Sequence, residues 1–373
     1  MIKSYFPMAI RRLNIVSVRN HKDAEFYFSP GVTVIWGENG SGKTAILEAI
    51  NILSFGKSFK THRQRELINI KTSELFIRGE FCAGGQEDVV AACVDKKSGQ
   101  IIKLNGKKIL SRKELLGRNI VVVLSPEEQG ITMGAPSIKR SFFDRVFSVI
   151  SPGYLKTLQQ YGRALKQRNI ALIQFRDGVI RKDALETWTE PLAKRGAKLW
   201  KARKELMLEF KKLQLNVSKK YDAKIMMDIK NPDLDPGKEK YREKIEGLIK
   251  KDIFLGRTGF GPHRDNITIN WFGKNIKVFG SQGEHKLCLV ILKLTELFFI
   301  KEKTGITPAL LLDDLFSKLD LERSKKIVHL LQGLETIYKE PVQTIVTTTD
   351  LINVENSGLL SKKYSHKTYH LER

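Results

Sequence analysis

Residues 34–50 read VIWGENGSGKTAILEAI. An apolar run reaches Trp36, the octet Gly37-Glu38-Asn39-Gly40-Ser41-Gly42-Lys43-Thr44 follows, and Ile46, Leu47, Ile50 and Leu53 then recur on one helical face. The octet satisfies G-x-x-x-x-G-K-[ST] at every position, between a strand and a helix as the motif requires. Its glycines let backbone N–H groups turn inward around phosphates, and the helix N-terminus adds positive potential. Lys43 is expected at the β- and γ-phosphates, and Thr44 at Mg²⁺. The stretch therefore predicts an α/β fold that binds ATP.

A nucleotide site of this kind needs a second element, and ALLLDD at 309–314 has the required form. Four apolar residues predict a buried strand, which delivers Asp313 to the metal. Asp314 stands where a carboxylate would polarise an attacking water. Ahead of that strand, Ser281-Gln282-Gly283-Glu284 opens the apolar helix 287–300. Small side chains at a positive helix end suit an anion. The loop already serves the chain's own nucleotide, so this second end is expected to close on the nucleotide of another copy, in an ATP-dependent homodimer. A mere N-capping serine would look the same. These are features of an ABC-type ATPase. Ser317-Lys318-Leu319-Asp320 resembles the segment that crosses the dimer interface in such heads, with Ser317 and Asp320 as its polar ends. Thr349 takes the place of the switch histidine found in many of them, and Asp314 is one methylene shorter than the usual Glu. Both departures predict slow hydrolysis, as in a timed clamp.

Working outward, the first third reads as short strands near Leu13–Val18, Val32–Trp36, Leu75–Cys82, Val89–Val94, Ile101–Leu104 and Ile120–Leu124. Gly84-Gly85 and Asn105-Gly106 supply turns. From about residue 137 the texture is helical, with Leu192, Leu199, Leu206 and Leu213 at intervals of seven. Pro232 and Pro236 mark a turn. Strands at Ala309–Leu312 and Gln343–Thr347 and a helix over 321–332 close the chain. The expected architecture is an ABC-type ATPase head with a mixed central sheet and an antiparallel β extension, carrying a short inserted α-helical arm. Its boundaries are 1–136 for the first half of the head, 137–252 for the arm and 253–373 for the second half.

Composition narrows the partners. Lys and Arg number 65 against 41 Asp and Glu, a net charge of +24, which favours polyanions such as nucleic acid. The arm shares the bias, with 24 basic and 13 acidic residues over 151–250. Three scattered cysteines predict a reducing, cytoplasmic setting without disulfides or zinc. Segment 287–300 is too short, and with Lys293 and Glu296 too charged, to span a bilayer, so no membrane partner is expected. Two basic faces suit phosphate-directed DNA binding of low sequence specificity. One is Lys57, Lys60, Arg63 and Arg65 with Phe55 and Phe59; the other is Lys201, Arg203, Lys204, Lys211 and Lys212. His285 is expected on a helix surface, and His263-Arg264-Asp265 is compatible with an ion-paired turn, a polar link between the halves of the head or a DNA contact. An ATP-binding subunit of a membrane transporter is the alternative that shares the ATP motifs, although it has no need of a basic helical insertion.

Beyond these motifs the chain resembles the RecF family of bacterial recombination mediators over nearly its whole length. The resemblance is carried by LNIVSVRNHKDAEFYFSPGVTVIWGENGSGKTAILEAI (13–50), SFKTHR (58–63), LSPEEQGITMGAPSIKRSFFD (124–144), YGRALKQRN (161–169), WTEPLAKRGAKL (188–199), FGPHRDNITI (260–269), SQGEHK and LLLDDLFSKLD. It implies an ATPase that dimerises with ATP on duplex or gapped DNA and acts with RecR and RecO to load RecA. It also implies that Arg19 and Asn20 touch nucleotide. Pro191 departs from the family's continuous helix, so the arm is expected to start or kink there, and MIKSYFPM extends the usual N-terminus.

Overall fold

The computed structural model describes residues 9–83, 85–221, 227–230, 237–315, 321–322, 324–326, 328–329, 342–360 and 365–372. The expected dimer-interface residues Ser317 and Asp320 lie outside the described residues, as do Pro232, Pro236 and MIKSYFPM. The chain divides into two compact units, Met1–Gln129 with Leu292–Arg373, and Gly130–Ile291.

Strands of the first unit are β1 (Ala9–Val18), β2 (His21–Tyr27), β3 (Val32–Gly37), β4 (Glu74–Ala83), β5 (Gln86–Asp95), β6 (Gly99–Leu104), β7 (Lys107–Lys108) and β8 (Val121–Leu124). Strands β9 (Met227–Lys230), β10 (Thr268–Trp271) and β11 (Lys274–Asn275) belong to the second unit, and β12 (Ala309–Asp313), β13 (Thr344–Thr348) and β14 (His366–Leu371) return to the first. Antiparallel and parallel pairing fall in separate sheets of the head, ordered β2-β1-β4-β5-β6-β7 and β14-β3-β13-β12-β8. Every pairing in the second is parallel. β8, β12 and β13 are buried along their full length because both faces are covered; β8 and most of β12 are apolar runs, whereas β13 (TIVTT) buries threonines as well. Six strands escaped the sequence reading: β2, β7, β9, β10, β11 and β14. β2 and β14 are edge strands with largely exposed, polar side chains, so neither shows an apolar run. The β6–β7 turn uses Asn105 and Gly106, both at positive φ (49° and 81°) as a tight hairpin demands.

Helix α1 (Lys43–Phe55) differs from the one-faced helix expected. It packs on strands of both sheets, so Ala45, Ile46, Leu47, Ala49, Ile50, Ile52 and Leu53 are all buried. Glu48 and Asn51 are buried with them and each is matched: Ser58 and Arg19 bond to Glu48, and the Asn51 amide donates to the Lys57 carbonyl at 2.6 Å. Buried polar groups persist where partners meet them.

The second unit contains α2 (Gly130–Met133), α3 (Pro136–Ile150), α4 (Pro152–Arg176), α5 (Lys182–Tyr221), α6 (Lys238–Gly247), α7 (Ile249–Leu255), α8 (Ile276–Phe279) and the first part of α9 (Gln282–Thr304). The expected boundary at 252/253 differs from the packing boundary at 291/292, because 253–291 bonds into the helices before it. Arg203 of α5, 2% exposed, donates to Asp265 at 2.5 Å, to Asp144 at 2.9 Å and to the Pro262 carbonyl at 2.8 Å. Trp200 Nε1 donates to Asp265 at 2.8 Å, and the Tyr161 hydroxyl meets His263 Nδ1 at 2.6 Å. GPHRD is thus an interior clasp, and its ion pair reaches across the unit instead of closing a local turn. α5 runs through Pro191 without restarting, 40 residues in all, with Leu192 and Ala193 fully buried just beyond it. Its buried seam follows Leu192, Leu199, Arg203, Met207, Phe210, Gln214 and Val217, while Leu206 and Leu213 turn partly outward. A straight helix drifts from a seven-residue repeat in this way. Within α9, Lys293 is fully buried and pairs with Glu296 at 2.7 Å and with Glu128. Among the described residues no helix is long and apolar enough to cross a membrane.

Candidate functional site

The loop after β3 turns at Gly40 (φ +86°) and Gly42 (φ +95°), in the left-handed region that glycine enters without a steric cost. Gly42 also meets a close neighbour: a Cβ there would lie 2.4 Å from His21 Nε2 and 2.5 Å from Asn20 Oδ1. The Asn20 amide donates to the Gly40 carbonyl at 2.9 Å, and His21 Nε2 lies 3.1 Å from the Gly42 carbonyl. Two loop carbonyls are therefore occupied by the β1–β2 turn. Arg19, at φ 55°, borders the same cavity while its guanidinium holds Glu48 at 3.2 Å and the Glu66 carbonyl at 3.0 Å.

Lys43 Nζ donates to the carbonyls of Gly37 and Glu38, each at 2.8 Å. Burial lowers its pKa, and Asp314 and Asp313 oppose that shift. Thr44 Oγ1 donates to Asp313 at 2.9 Å, and Thr347 Oγ1 donates to the same carboxylate at 2.7 Å. Burial raises the Asp313 pKa against these two bonds. The strand registers explain the meeting: β12 lies beside β13 with Asp313 opposite Thr347, and β13 lies beside β3, which feeds the loop. Asp314 is held at φ 51° with its N–H donating to the Thr347 carbonyl at 3.0 Å.

A cavity of about 470 Å³ joins these groups, bordered by Asn39, Gly40, Lys43, Thr44, Asp313 and Asp314. Ser41 is buried, with no hydrogen-bond partner for its Oγ. Five lining residues were not singled out by the sequence for any role, Ala45, Glu48, Pro126, Glu127 and Thr347, and Lys60 was expected only on a DNA-binding face. Thr347 lies two residues before Thr349, which is exposed and does not border the cavity. Only register distinguishes the two. Glu127 falls in LSPEEQG, a segment already marked by the resemblance.

In the second unit, Ser281 and Glu284 form a reciprocal cap. The Glu284 carboxylate accepts the Ser281 N–H at 2.7 Å, and Ser281 Oγ accepts the Glu284 N–H at 3.3 Å. Gln282 is exposed and Gly283 partly so. His285, expected on the surface, is 4% exposed, because it packs beside Gly280 where a Cβ would lie 3.1 Å from its Nε2. Burial lowers its pKa. Of the two basic faces, the arm loses Arg203 to the interior clasp, and Phe55 and Phe59 pack against the head's apolar core.

The sequence profile of the RecF/RecN/SMC N terminal domain matches residues 9–369. A DNA replication and repair protein RecF of Streptococcus uberis is 35% identical over 98% of both chains. The corresponding RecF of Thermoanaerobacter sp. (strain X514) is 32% identical over 88% of this chain and 93% of its own. Among solved structures, the recombination mediator protein RecF-ATP in the RecFOR pathway superposes with a TM-score of 0.85 at 30% identity, covering 94% of each chain. An Smc head domain from Pyrococcus furiosus shares the fold, with a TM-score of 0.54 at 17% identity over 94% of this chain and 92% of its own. With a matching head, a matching inserted helical unit and identity sustained along the chain, this protein belongs to the RecF family.

Proposed function

We propose that this chain is an ATP-switched DNA-binding protein of recombinational repair and replication restart. The carrying observation is the meeting of Lys43, Thr44, Asp313 and Asp314 around one cavity. On this reading the loop N–H groups and Lys43 take the phosphates. Lys43 exchanges its two carbonyl partners for phosphate oxygens, a stronger, charge-assisted pairing. The Thr44 hydroxyl and the buried Asp313 carboxylate fit Mg²⁺, which takes one or two protein oxygens alongside substrate phosphates. When bound, Mg²⁺ supplies charge neutralisation between the phosphates. Asp314 orients the attacking water, and its short side chain, with Thr349 in place of a histidine, makes hydrolysis slow.

Ser281 and Glu284 satisfy one another, so the N–H groups of Gln282 and Gly283 are the donors offered to the γ-phosphate of a second copy. ATP thereby dimerises the heads on duplex or gapped DNA, with little sequence specificity. The likeness to RecF-ATP of the RecFOR pathway supports RecR and RecO as partners in promoting RecA loading.

The test is fluorescence anisotropy on duplex, single-stranded and gapped DNA with no nucleotide, ADP or ATP, using Asp314→Asn to hold the ATP state and light scattering to follow mass. Duplex or gap binding that appears with ATP, accompanies a doubled mass and is lost in Gly283→Arg is the expected result. A doubled mass with DNA binding absent, or indifferent to nucleotide, overturns the DNA-clamp reading.

A further inference from the structure

The second unit contains a cavity of about 560 Å³ between α4, α5, α6 and α7 that the nucleotide chemistry does not use. Its walls are apolar, formed by Phe175, Leu185, Ile245, Ile249 and Ile253. Arg168, from the LKQRN segment, borders it and is fully buried. Nη1 of Arg168 is satisfied by Asp252 at 2.8 Å and Thr258 at 2.7 Å, while Nε and Nη2 have no hydrogen-bond partner. Buried donors on a charged group are costly to leave unpaired. The acids at the rim face basic neighbours: Glu186 pairs with Lys182 at 3.5 Å, Glu190 Oε1 with Lys238 at 2.5 Å and Glu246 with Arg242 at 2.6 Å, while Glu190 Oε2, which accepts no hydrogen bond, lies 3.8 Å from the Arg242 guanidinium. Lys250 at the rim has no ion-pair partner among the described residues.

We propose that this cavity is a binding site for an amphipathic carboxylate, with the apolar body against the isoleucine wall and the carboxylate taking the open donors of Arg168 and the charge of Lys250. The volume is that of small-ligand pockets, which combine apolar walls with a few convergent polar groups. A neutral acceptor would satisfy the same donors but gain less, because it lacks the charge and the bidentate geometry that a carboxylate offers a guanidinium. A free acid and the C-terminal residue of a peptide offer the same chemistry.

The full-length protein would be titrated with 3-phenylpropionate, with 3-phenylpropanol, and with a pentapeptide ending in phenylalanine as free acid or amide, followed by calorimetry and saturation-transfer NMR. Saturable binding of an acid, about tenfold tighter than its alcohol or amide, is expected. Ile253→Trp, filling the cavity from a partly exposed position, should abolish it and leave ATP binding unchanged. Lys250→Glu, at the exposed rim, should weaken the acid and spare the alcohol, so the idea remains testable if the tryptophan variant fails to fold. Preference for the peptide acid identifies a chain terminus as the source, and preference for the free acid a small molecule. No saturation, equal affinity for acid and alcohol, unchanged binding in a folded Ile253→Trp, or a crystal structure with only water on Arg168 overturns the proposal.

Discussion

Asp313 is 4% exposed, and burial holds its carboxyl above the ordinary range although Thr347 and Thr44 both donate to it. A raised folded pKa means that stability is fully present below the unfolded value and falls as pH rises through the folded one. Burial thus disfavours the charged carboxylate in the apo protein, where a cation would favour it. Asp313→Asn is expected to leave the apo melting temperature unchanged or higher. It should also remove the Mg²⁺-dependent upward shift given by ATP, and thermal scans with and without nucleotide and EDTA check both parts. Asp314 poses a backbone question, since its φ of 51° suits Asp, Asn or Gly better than other residues. Asp314→Gly should keep or raise stability and Asp314→Ala should cost roughly 1 kcal/mol, with ATP turnover lost in both. Equal stability of the two in denaturant titrations would remove backbone strain from the account.

At the scale of elements, the clasp between α5 and the Gly261–Asp265 segment carries the integrity of the second unit. Removing one partner of a buried pair strands the other, so Arg203→Met is expected to destabilise by about 3–5 kcal/mol, partly recovered by adding Asp265→Asn. Urea melts of the single and double variants give the coupling. His263 belongs to the same element, with burial pushing its pKa down to about 4. A lowered folded pKa places its contribution above the unfolded value, near 6.5, to be lost as pH falls toward 4. Stability should fall over that window by about 2 kcal/mol more than in His263→Gln, read from denaturant midpoints at several pH values. Such a dependence would be absent if the imidazole were solvated.

For the whole molecule, the charge of +24 is the dominant electrostatic fact. Binding through phosphates releases counterions, so DNA affinity should fall by about 10³-fold or more between 50 and 200 mM salt if six or more contacts form. Lys201, Lys204 and Lys212 are exposed on α5, whereas Arg203 between them is buried. Replacing the three lysines by glutamate is expected to weaken duplex binding alike for all sequences and to flatten the salt slope. A salt slope unchanged in that variant would move the DNA surface elsewhere.

The sequence alone located the glycine-rich loop, the paired acids, the strands β8 and β12 and an inserted helical arm, because each is written in a local pattern of glycines, apolar runs or helical periodicity. The segments containing LKQRN and GPHRD carried the family resemblance without showing what their side chains meet. Tertiary structure decided the rest. Arg168 and Arg203 read as ordinary basic residues, yet both are interior, since Asp252 lies 84 positions from the first and Asp265 lies 62 from the second. Thr347 and Thr349 look alike until the register of β13 against β12 sets only Thr347 beside Asp313. α1 showed one apolar face and is buried on every side, because strands distant in sequence cover the remainder. Backbone preference acts over a few residues and leaves a local trace, whereas burial and charge pairing depend on which distant segments meet, and that is settled only when the chain folds.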